Sequence, residues 1–151
     1  MSDPTLKEKL RGEMTAAMKA GAKVRLGALR MLSAAVTNRE KEVLHELSDE
    51  EVREVAAREV KRRNESIEAF EKGGRTDLVE KETAEREILV AYAPEQLSDE
   101  QVDALIDEVV EATGASGPGD LGKVMGMVMG RAKGAVDGSV VQAKVRARLG
   151  A

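Results

Sequence analysis

The 151-residue chain has no cysteine. That excludes disulfides, thiol nucleophiles and thiolate-held metals, and it suits a reducing compartment. His45 is the single histidine, so a histidine-ligated metal has no second ligand of its kind and a His-based acid–base pair has no evident partner. No metal and no cofactor are expected. Tryptophan is absent, and Phe70 and Tyr92 are the only aromatic side chains. Any core must be aliphatic, and recognition of splayed single-stranded bases by stacking is largely excluded. No apolar run reaches half of the ~20 residues that span a bilayer. No signal-peptide pattern opens the sequence. The expected address is the cytoplasm, with no membrane partner.

What remains is a chain that is 42% hydrophobic and 34% charged, with three prolines. Helix formers dominate, so the fold class is all-α. Apolar spacing predicts four helices in residues 1–97 and three short ones in 98–151, an N-terminal helical domain followed by a small three-helix bundle. Asp3 is placed to cap the first helix with Pro4 at its first position. Ser48 with Glu51, and Ser98 with Gln101, are capping boxes that open the third and fifth helices. Pro94-Glu-Gln-Leu97 marks the boundary between the two parts. Arg58, Lys61, Arg62 and Arg63 cluster on the third helix among interleaved glutamates. Ion pairing within that helix is the expected account.

The sixth helical stretch is the most unusual. Gly122, Gly126, Gly130 and Gly134 recur every four residues beside an apolar face of Leu121, Val124, Met125, Val128, Met129 and Ala132. Each interior glycine costs a helix about 1 kcal/mol against alanine, so the stripe calls for a compensating close approach of another backbone. That backbone is either a second helix, which the sequence favours, or a nucleic-acid strand. Charge is uneven as well. Residues 121–151 carry six cations against Asp137 alone, a local net of +5 in a chain of net charge −4. A basic end of this kind is a footprint for a polyanion or a solvated surface.

Several long motifs occur in order: Leu29-Arg-Met-Leu32, the run from Lys61-Arg-Arg-Asn64 through Gly73-Gly-Arg-Thr-Asp-Leu78, Tyr92-Ala-Pro94 with Gln96-Leu97, and Gly122-Lys-Val-Met-Gly126 through Lys133-Gly134 to Asp137-Gly138. Together they resemble the YqeY family over nearly the whole chain. Ala135-Val136 stand where relatives often carry Arg-Ala, which removes one cation from that turn. YqeY proteins resemble the C-terminal tail of GatB, the B subunit of the bacterial tRNA-dependent amidotransferase, and a module appended to some glutaminyl-tRNA synthetases.

The resemblance implies an all-helical two-part fold, tRNA as a partner, and a synthetase or amidotransferase as a protein partner. It also carries the family label of a carbon–nitrogen ligase with glutamine as amide donor. Such chemistry needs an activated Ser or Cys beside a base and an oxyanion hole. Ser33, Ser48, Ser66, Ser98, Ser116 and Ser139 sit at caps, turns or mid-helix without that setting, so no catalytic residue is assigned. For RNA, phosphate and shape recognition by cations remain. Lys123, Arg131 and Lys133 flank the glycines, and Lys144 and Arg148 lie one turn apart on the last helix. If these side chains converge, they can straddle a phosphate ridge. The rival function is a protein–protein adaptor without RNA.

Overall fold

Aliphatic periodicity and capping boxes give the expected helices. The computed structural model describes residues 3–150, and among them the regular structure comprises seven α-helices and one 3-10 turn, with no strand. The chain divides into two compact units, Met1–Pro94 and Glu95–Ala151.

The first unit contains α1 (Leu6–Ala20), α2 (Lys23–Val43), α3 (Asp49–Lys72) and α4 (Thr76–Val90). α1 begins later than Asp3 and Pro4 suggest, because its exposed N–H groups find other partners. The Thr5 hydroxyl accepts from the Glu8 N–H at 3.1 Å, and the Leu6 N–H donates to Asp49 Oδ1 at 2.9 Å. The start is thus fixed by a carboxylate 43 residues away. Ser48 forms its capping box with Glu51 as expected. Between α2 and α3, Leu44 takes the left-handed conformation (φ 61°) and is 87% exposed. Lys7 Nζ braces this corner, 2.7 Å from Glu40 and 3.0 Å from Glu46. The hydrogen bond from Lys7, and then that from the Leu47 N–H, hold the Glu40 carboxyl below its ordinary range. Leu10, Leu29, Leu32, Val52, Val55 and Leu89 fill the interior, each worth about 1.5–3 kcal/mol on burial.

The basic cluster on α3 departs from purely intrahelical pairing. Arg62 does lie 3.5 Å from Glu59 one turn back. Arg63, only 7% exposed, instead reaches α4, with Nη1 3.3 Å from Glu82 and Nε 3.3 Å from Glu85, while Nη2 donates to Met31 Sδ on α2. Val52, Ala56, Glu59, Arg63 and Ile67 recur every three or four residues along the buried face of α3. The position of Arg63 in that apolar stripe, rather than its local carboxylates, determines where it points.

The second unit contains α5 (Asp99–Thr113), a 3-10 turn (Pro118–Asp120), α6 (Leu121–Ala132) and α7 (Gly138–Leu149). Ser98 caps α5 in the expected box with Gln101. The Leu97 N–H donates to the Ala135 carbonyl at 2.8 Å, and Gln96 Nε2 to the Gly134 carbonyl at 3.2 Å. These bonds tie the segment after Pro94 to the second unit. Val102, Ile106, Val109, Val124, Val141 and Val145 build its core without an aromatic ring. The Asp120 carboxylate accepts from the Ser116 and Gly117 N–H groups, which holds it in the charged form and fixes the turn before α6. Among the described residues, no helix is long and apolar enough to cross a membrane.

Candidate functional site

α6 packs through Val124, Val128 and Ala132. At 3.6 residues per turn, these lie about 120–160° around the helix from Gly126. Gly122, Gly126 and Gly130 consequently form a bare outer stripe. All three are exposed, and apart from the neighbouring residues and backbone of α6 itself no heavy atom stands within 4 Å of where a Cβ would be at any of them. The helix-on-helix contact favoured by the sequence is therefore not made within this unit. Valines dock the helix, and the glycines face outward. Gly134 does not extend the stripe: α6 ends at Ala132, Lys133 caps it in the left-handed conformation (φ 48°), and Gly134 follows at φ 85°.

Lys123 and Arg131 are exposed and, with the half-buried Met127 between them, border one side of the stripe. Met129 and Met125 border the other side and lean onto the core. Lys144 and Arg148 are directed elsewhere. Lys144 Nζ lies 2.8 Å from Asp103 and 3.3 Å from Asp99, and Arg148 Nη1 lies 3.1 Å from Asp107. The bond to Asp103 raises the Lys144 pKa. These two cations face α5 and the α6 pair borders the glycines, so the five residues do not form a single cluster. Arg146, absent from that set, is exposed on the opposite edge of α7, about 160° around from Lys144. The signal for it lay in the apolar spacing of Val141, Val145 and Leu149, which splits α7 into two edges.

The charge balance changes too. α5 carries six acids and no cation, so residues 95–151 hold nine acids against six cations, a net of −3. The basic end is a local feature of α6 and α7 within an acidic unit.

Other chemistry is sparse. Among the described residues, no group of three or more His, Asp or Glu side chains is arranged to hold a metal. His45 sits just past α2, with Nδ1 2.9 Å from the Glu46 carbonyl oxygen and Nε2 3.6 Å from Glu51. The Ser48 and Ser98 hydroxyls accept cap hydrogen bonds, and that of Ser139 donates to Asp137.

Residues 7–149 match the protein family described as Yqey-like protein. The chain belongs to the YqeY family. The YqeY match runs from α1 into α7 and includes the whole of α6. The run from Lys61 to Leu78 joins α3 to α4. Within it Arg63 binds the α4 glutamates, Asn64 accepts from Arg86 at 2.9 Å, and the Phe70 carbonyl accepts from the Arg75 N–H. That run serves helix pairing in the first unit. Comparison with curated proteins gave no match.

Proposed function

We propose that this YqeY-family protein is a non-catalytic helical adaptor that holds folded tRNA on the outer face of α6, in the setting of aminoacyl-tRNA amidation. The two units act as an N-terminal helical domain and a C-terminal module like the GatB tail. Any amide transfer belongs to the partner enzyme, a synthetase or amidotransferase.

The bare glycine stripe carries this reading. Three helical glycines cost about 2–3 kcal/mol, and their Cβ positions meet nothing in their own unit. A return from outside the unit accounts for that cost: a ribose–phosphate backbone can approach α6 more closely than side chains would allow. Lys123 and Arg131 supply the charge, with Arg146 on the edge of α7 away from α5. With no aromatic residue in the unit, recognition is of phosphate and shape. Few contacts on a net-negative unit give weak binding with a modest salt slope.

The test is a tRNA titration across a salt series. Each phosphate contact contributes a slope of about −0.7 to −0.9 in log K against log salt, so two to three contacts give about −2 to −3. Lys123→Gln and Arg131→Gln should each remove about one contact. Gly126→Leu should abolish binding while the fold persists. Absence of salt-dependent affinity at every concentration overturns the proposal. A second reading is favoured by Met127 and Met129 beside the stripe, since soft thioethers suit a protein partner. In that case an amidotransferase or synthetase binds the same face without tRNA, and Gly126→Leu blocks it.

A further inference from the structure

The cations of α7 that face α5 have a consequence for how the second unit meets an anion. Asp99, Asp103 and Asp107 stand at i, i+4 and i+8, forming one row along α5. Lys144 and Arg148, at i and i+4, form the matching row on α7, joined to it at 2.8–3.3 Å. Like charges one turn apart oppose an isolated helix, so the acid row is unfavourable until α7 lies against it. We infer that α5 is a built-in competitor for the polyanion, its aspartate row occupying Lys144 and Arg148 in place of outside phosphates. This rests on the proposal that the unit binds tRNA, and it adds a control on how many cations are available.

Two observations make the row displaceable. The carboxylate side chains are 75%, 57% and 59% exposed at Asp99, Asp103 and Asp107, and solvent-screened pairs of this kind are weak. In addition, α5 is held to the unit by Val102, Ile106 and Val109. Neutralising its acids therefore leaves the apolar docking in place. Once the row is neutral, a strand of phosphates that reaches α7 takes its place, and the protein gains contacts without losing its fold. In the resting protein the same row keeps two of the six cations of the unit from adding to non-specific binding.

The experiment uses the full chain carrying Asp99→Asn, Asp103→Asn and Asp107→Asn together, titrated with bulk tRNA between 50 and 200 mM salt. A control chain carries Glu100→Gln, Glu108→Gln and Glu111→Gln, which change the net charge equally at exposed positions elsewhere on α5. The aspartate variant should steepen the salt slope by about two contacts, so that its affinity change across this range exceeds that of the wild type by about tenfold. Adding Lys144→Gln and Arg148→Gln to it should restore the wild-type slope, and those two changes in the wild type should leave the slope unaltered. Circular dichroism of each variant checks that the helices remain. If the aspartate variant binds with the wild-type slope, or the glutamate control changes as much, the competitor is refuted and tRNA holding by α6 stands. If the variant binds and the wild type does not, the competitor stands and the α6 reading falls. If neither binds, both fall.

Discussion

Replacing Gly122, Gly126 and Gly130 together by alanine should make the second unit more stable. None of the three has positive φ, and apart from the local backbone of α6 none has a heavy atom within 4 Å of the added Cβ. The substitution therefore introduces no strain and no overlap. Helix propensity favours alanine by about 0.8–1.0 kcal/mol per interior position. A smaller unfolded ensemble contributes to that gain. Gly122 lies in the first turn, where helical ends fray, so a total of about 2–3 kcal/mol is expected. In a domain of this size, 1 kcal/mol moves the melting temperature by about 4–8 °C, giving a rise on the order of 10 °C. Urea unfolding of the full chain followed by far-ultraviolet circular dichroism should show the transition of the second unit at a higher midpoint with an unchanged m-value. A fall in stability would refute the reasoning, since it would require a backbone packed against the stripe. If the glycines serve tRNA, the same protein should bind it more weakly, and gain of stability with loss of binding would appear in one variant.

Three further outcomes follow from the first unit. Arg63→Ala leaves Glu82 and Glu85 without their buried guanidinium and should cost about 3–5 kcal/mol of unfolding free energy; a neutral result would show that the network contributes nothing. Leu44→Gly relieves a left-handed leucine that buries almost none of its side chain, so equilibrium denaturation should show a gain of about 1 kcal/mol. Glu40 is held below its ordinary value of 4.5 by Lys7 and the Leu47 N–H, so its contribution is fully present above that pH and is lost as pH falls through the depressed value. Glu40→Gln should flatten the acid limb of a stability–pH curve below about pH 4.5, and an unaltered limb would remove Glu40 from the account.

The parts of the fold that sequence predicted well are those decided within a few residues. Both capping boxes needed only their immediate neighbours. The start of α1 did not, because Asp49 arrives from another helix to receive the Leu6 N–H. Arg63 was misassigned for a related reason. Nearby glutamates on its own helix offered it partners, while its register with Val52, Ala56 and Ile67 placed it on the buried face. At the candidate site the glycine stripe was legible as a pattern, but its direction was not. A period of four specifies a row along a helix, and only the docking of Val124 and Val128 against α5 and α7 determines which way the row faces. Lys144 and Arg148 show the same gap: net charge over 121–151 counts them as available, whereas the row of aspartates on α5 engages both.

One property of the first unit bears on how the whole chain can be watched. Tyr92 is buried at 2% exposure, and it and Phe70 both lie before residue 95, so the second unit contains no aromatic ring at all. Tyrosine emission and near-ultraviolet ellipticity therefore follow the first unit alone, while far-ultraviolet ellipticity follows the helices of both. Coincidence of optical transitions is the usual sign of all-or-none unfolding. In this protein the comparison also assigns a transition to its unit without any label. A far-ultraviolet step with no tyrosine counterpart is the melting of α5, α6 and α7.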